Sequence, residues 1–124
     1  MFKKSGNTLH ITRGDAGTLT LEFPDYTFVS SDVVVVNIYR ENTMDAAPID
    51  SWITSNGTNP THPCTYSYDG DKVTMEILGE YTQLDSPITE PVTYWWEAVC
   101  GDKTFVCYDE NGPKILNLYP GGVN

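Results

Sequence analysis

Basic residues are scarce in this sequence: seven Lys and Arg stand against seventeen Asp and Glu, a formal net charge of −10 over 124 residues. Nucleic-acid affinity draws on neutralising phosphates with Lys and Arg, so this balance argues against direct nucleic-acid binding. Long apolar runs are missing too. Nothing approaches the ~18 to 20 apolar residues of a membrane-spanning helix. The opening Met1-Phe2-Lys3-Lys4-Ser5-Gly6-Asn7 has no apolar stretch of signal-peptide length, so neither a membrane partner nor export by that route is expected. Cysteine is sparse and odd in number. Cys64, Cys100 and Cys107 form no CxxC pair, and two of them lie in apolar strand patterns, which implies reduced, structural thiols. His10 and His62 are far in sequence from each other and from the thiols, so no metal site is expected. A nucleophile elbow, a Gly-rich phosphate loop and a His beside a nucleophile and an acid are all absent. No catalytic residue and no cofactor is therefore assigned, and the chain is read as a non-enzyme.

What remains is 40% hydrophobic and 12% aromatic, too apolar for a disordered segment and the right size for one core. The expectation is a single domain over residues 1–124 with a flexible N-terminal arm at about residues 1–7. Leu19, Leu21 and Phe23 alternate with Thr18, Thr20 and Glu22, and residues 9–23 read as two strands or one kinked strand around Arg13 to Gly17. The β-branched run from Val33 to Tyr39 reads as a central strand buried on both sides. Residues 41–69, punctuated by Pro48, Gly57, Pro60 and Pro63, are the least regular and are assigned to insertions, with short strand candidates around Trp52 and Tyr66. Val73, Met75 and Ile77 share a face after the Asp69-Gly70-Asp71 turn, and a single helical turn fits around Tyr81 and Leu84. Val92, Tyr94, Trp96, Ala98 and Cys100 share the face of a late strand that returns through Phe105 and is followed by a strand from Ile115. Short strands at this spacing without an amphipathic helix predict an all-β, immunoglobulin-like antiparallel sandwich of about seven to eight strands. Tyr94, Trp96, Leu19, Leu21, Val34, Val36, Met75, Ile77, Phe105 and Ile115 are its predicted core.

Arg13-Gly14-Asp15 is the tripeptide that integrins read, but between two strand patterns its glycine serves a bulge or turn, and a structural turn is assigned. Asn56-Gly57-Thr58 matches a glycosylation acceptor and is read as a turn. The acidic pairs at Asp69-Gly70-Asp71 and Asp109-Glu110 lack the twelve-residue pattern of a calcium loop. Trp95 sits opposite in parity to Tyr94 and Trp96, so a loop must cover it or it is offered to a partner. Trp52, Tyr66, Tyr68 and Trp95 together would let a glycan stack on exposed rings.

Ile11-Thr12-Arg13-Gly14-Asp15, the alternating Thr18-Leu19-Thr20-Leu21, the run from Val33 to Tyr39 and Tyr94-Trp95-Trp96-Glu97 with its hairpin follow one another in order. This pattern resembles the small immunoglobulin-like domains of tailed-bacteriophage structural proteins, above all the N-terminal domain of baseplate upper proteins, with similar modules on fibres and capsids. Residues 41–69 have no counterpart in it. The resemblance implies a virion component made in the host bacterial cytoplasm: a capsid decoration, head-fibre, neck or tail accessory protein. Its implied partner is a phage capsid or tail protein, or a further copy of the chain within the particle. Partner contact is assigned to the N-terminal edge, Lys3, Lys4, Leu9 and Ile11, and to Trp52 and Trp95. The alternative is a carbohydrate-binding sandwich.

Overall fold

The computed structural model describes residues 1–43, 46–58, 60–84, 87–101, 103–106 and 114–121, the segment 103–106 in backbone only. Among these described residues eleven strands run in chain order: β1 (Phe2–Ser5), β2 (Thr8–Thr12), β3 (Gly17–Glu22), β4 (Val34–Tyr39), β5 (Asp50–Thr54), β6 (Pro63–Cys64), β7 (Tyr66–Asp69), β8 (Lys72–Ile77), β9 (Val92–Cys100), β10 (Lys103–Val106) and β11 (Ile115–Tyr119). A 3-10 turn, Gly79–Thr82, interrupts them. They form two sheets. The larger has eight strands in the order β1-β2-β11-β9-β4-β5-β6, with β10 also on β9, and the smaller has the order β3-β8-β7. The fold is an all-β sandwich, mostly antiparallel, with parallel pairs at β2 to β11 and β5 to β6.

The core lies between the sheets and is set by the two-residue period of the strands. Leu9 and Ile11 from β2, Leu19 and Leu21 from β3, Val34, Val36 and Ile38 from β4, and Val73, Met75 and Ile77 from β8 are all buried there. Tyr94, Trp96, Ala98 and Cys100 from β9 join them, with Leu116 and Leu118 from β11. Tyr81 and Leu84, carried by the 3-10 turn and the residues after it, are also buried. Ile115 is not part of this set. Its register partner is Trp95, so it lies half-buried on the outer face, and strand parity puts Leu116 and Leu118 inside instead. Phe105 lies outside the described side chains.

Three further expectations are revised. The N-terminal segment is a strand rather than a flexible arm: β1 pairs antiparallel with β2, from Phe2 opposite Ile11 to Ser5 opposite Thr8. Phe2 packs over Gly17, where a Cβ would meet its ring at 2.2 Å, and its ring lies 6.3 Å from that of Trp52. The strand candidates around Trp52 and Tyr66 are present as β5 and β7, and with β6 they tie residues 41–69 into both sheets rather than leaving them as insertions, with Trp52 and Cys64 fully in the core. Finally, β4 lies between β9 and β5 but is buried on one face only. Val35, Asn37 and Tyr39 are half-buried on the other, because the second sheet covers a single side.

Candidate interaction surface

The outer face of the large sheet has no second layer among the described strands, and its composition departs from the polar face usual for a solvated sheet. Trp95 on β9 stands between Ile115 on β11 and Tyr39 on β4. Four residues further along, Val99 lies beside Val35, and Val35 beside Ile53 of β5. Between these two apolar rows runs a polar one, Glu97, Asn37 and Ser51, in register across β9, β4 and β5. Its members are linked. The Tyr39 hydroxyl donates to Glu97 Oε1, Asn37 Nδ2 donates to the same oxygen at 3.4 Å, and Ser51 Oγ donates to Asn37 Oδ1 at 2.7 Å. Such a relay holds a carboxylate in one place on the surface at the cost of its side-chain freedom.

The three tryptophans differ in how their indole N–H is met. Trp52 donates to the Tyr81 carbonyl at 3.1 Å and Trp96 to the Asn7 carbonyl at 3.0 Å, so each buried ring is pinned by a backbone acceptor. Trp95, half-buried on the outer face, finds no acceptor among the described residues. An indole with an apolar body at a surface and an unspent donor is typical of contact positions.

The other assigned contact residues divide sharply. Leu9, Ile11 and Trp52 each have 0% exposure, so they are part of this chain's own core and are withdrawn as contacts. Sequence parity could not separate Leu9 and Ile11 from an edge element, because β11 pairs with β2 from a hundred residues away and closes it in. Lys3 and Lys4 are exposed on β1, the terminal strand of the large sheet. Tyr66 and Tyr68 are half-buried, and the Tyr68 ring stacks on Phe28 at 4.6 Å while its hydroxyl donates to the Asp32 carbonyl. With Trp52 buried, the ring of sugar-stacking aromatics does not exist as a group.

Arg13, Gly14 and Asp15 form the passage from β2 in the large sheet to β3 in the small one. Gly14 has a φ of +92°, open to glycine alone without strain, and its N–H donates to Thr82 Oγ1 at 2.9 Å. The chain is tight here: a Cβ at Gly79 would lie 2.3 Å from the Gly14 carbonyl oxygen. The Met1 ammonium pairs with the Asp15 carboxylate. The same segment borders an open polar cleft of about 610 Å³, with Gln83, Pro87, Ile88 and Gly121 on its other walls. Asn56 is likewise occupied structurally, donating to the Asp32 carbonyl at 2.7 Å.

Sequence inspection missed one polar cluster. His62 Nε2 lies 2.9 Å from Asp50 Oδ1, and its ring packs on Tyr81 at 4.4 Å. Nearby, burial pushes the Cys64 thiol up to about 11, against a hydrogen bond from the Ile53 backbone that lowers it, so it is a poor nucleophile. Twelve residues separate His62 and Asp50, and only the parallel pairing of β5 with β6 brings them together. Among the described residues no three His, Cys, Asp or Glu side chains converge as a metal site would require. Compared with known proteins, the chain matches no family model, no curated protein and no solved structure.

Proposed function

We propose that the chain is a structural component of a tailed-bacteriophage particle, attached to a coat or tail protein through the outer face of its large sheet and the adjoining β1 edge. The observation that supports this most directly is the outer face itself, where two apolar rows flank a fixed carboxylate with no second layer over them among the described strands. Interfaces that form between separately folded proteins have this make-up, with aromatic and aliphatic side chains around a few oriented polar groups. The phage assignment rests on the sequence resemblance, an analogy at the level of fold. The acidic charge keeps free copies apart and soluble until they meet the attachment site.

The test is to probe density-purified particles of the encoding phage with an antibody against the chain. The chain should sediment with particles, and Trp95→Asp should reduce its incorporation while leaving the isolated protein folded. Absence from particles overturns the proposal. A saturable response to a panel of methyl glycosides would favour the carbohydrate-binding alternative, which retains Trp95 and loses Trp52.

A further inference from the structure

We propose that the cluster of Trp95, Tyr39 and Glu97 is the seat of an arginine side chain supplied by the protein partner. This deepens the attachment proposed above and rests on it. The cluster offers two different attractions to a planar cation. The Trp95 ring is half-buried on the outer face beside Tyr39, its direct cross-strand neighbour. Glu97 follows two positions along the same strand and face, a Cα spacing of about 7 Å. A guanidinium over an indole lies within ~6 Å of the ring centroid, so a cation seated on Trp95 reaches this carboxylate.

Glu97 is held ready for such a partner. Its Oε1 accepts from the Tyr39 hydroxyl and from Asn37 Nδ2, and Oε2 takes no hydrogen bond from any described residue. No cation pairs with it among the described residues, although the ion pair of the Met1 ammonium with Asp15 shows that another carboxylate here does find one. A surface carboxylate fixed by two neutral donors and without a countercharge among the described residues, in a chain of net charge −10, is complementary to a basic group from outside. The same net charge disfavours a second copy as the occupant. Arginine fits better than lysine because its guanidinium stacks flat on an aromatic ring while its fork of N–H groups meets a carboxylate side-on. The Trp95 indole N–H, without an acceptor among the described residues, then suits a backbone carbonyl of the segment that carries the arginine.

The experiment follows the indole N–H signals of the isotope-labelled 124-residue chain during titration with three blocked tripeptides, Gly-Arg-Gly, Gly-Lys-Gly and the neutral analogue with citrulline in the middle. The arginine peptide should move the Trp95 signal saturably in the millimolar range, lysine several-fold more weakly, and citrulline not at all. Added salt should weaken the response. In Glu97→Gln the arginine response should fall several-fold, while unchanged Trp52 and Trp96 signals report an intact core. Equal responses to arginine and citrulline, or an arginine response that survives Glu97→Gln, overturn the inference. So does a silent titration, or a Trp95 signal moved by methyl glycosides and not by arginine. If the titration fails but the chain is found in particles, the arginine seat is wrong and the attachment stands; absence from particles removes the attachment as well.

Discussion

At the scale of single residues, two neighbours on β9 make opposite predictions. Trp96 is buried and pinned to Asn7, so Trp96→Ala should cost ~3 to 5 kcal/mol in chemical denaturation, the usual range for deleting a large buried aromatic. Trp95→Ala should change stability by a fraction of that, since its ring faces outward. Equal losses would mean that the phase of β9 is wrong. Cys64 and Tyr68 carry the pH dependence. Burial raises the Cys64 thiol from 9.0 to about 11 and, despite a hydrogen bond with Thr54, the Tyr68 phenol from 10.0 to about 12. Both groups are neutral in the folded state where the unfolded chain would ionise. Their stability contribution is therefore complete below the unfolded values and is lost as pH rises, from 9 to about 11 for Cys64 and from 10 to about 12 for Tyr68. Denaturation midpoints should fall above pH 9, with Cys64→Ala removing the lower part of the decline. A midpoint independent of pH across that window would contradict the burial of both.

At the scale of elements, the N-terminal hairpin is the sharpest departure from expectation. A flexible arm could be removed with little thermal effect, whereas β1 covers Gly17 and approaches Trp52 through Phe2. Deleting residues 2–7 should lower Tm by roughly 10 °C or more, as expected when a packed aromatic and a strand are lost from a domain of this size. An unchanged Tm would return the segment to the status of an arm. The turn from Arg13 to Asp15 depends on a side chain sixty-seven residues beyond Asp15: Thr82 is fully buried, accepts from the Gly14 N–H and lies 3.0 Å from the Asp15 carbonyl. Thr82→Val keeps the shape and removes the hydroxyl, leaving the part-buried Gly14 N–H and Asp15 carbonyl without this partner at a cost of about 1 kcal/mol. Alternation made β3, β8 and β9 legible because each has one face against the core. For β4, a run of valines concealed the alternation, since valine is tolerated on a half-covered face as readily as inside.

At the scale of the whole molecule, one sheet of eight strands against one of three leaves a face with no second sheet over it among the described residues, and the large sheet ends at β1 and the two-residue β6. Exposed Lys3 and Lys4 on β1 and the shortness of β6 discourage edge-to-edge pairing between copies. With ten net negative charges per chain, the isolated protein should be monomeric by sedimentation at physiological salt. Concentration-dependent dimerisation there would instead make a second copy the occupant of the outer face.

The sequence by itself determined the all-β class, most of the core and the outward parity of Trp95, because strand alternation is a local property with a period of two residues. It also set the charge that argues against nucleic acid. Only the tertiary structure decided which strands are neighbours, and that depends on contacts between residues far apart in the chain. Burial of Leu9 and Ile11 comes from β11, burial of Trp52 from β1 and the 3-10 turn, and the meeting of Tyr39 with Trp95 and Glu97 from the register of β4 on β9. Alternation tells a side chain which way to point; only the pairing of distant strands decides whether anything stands there to meet it.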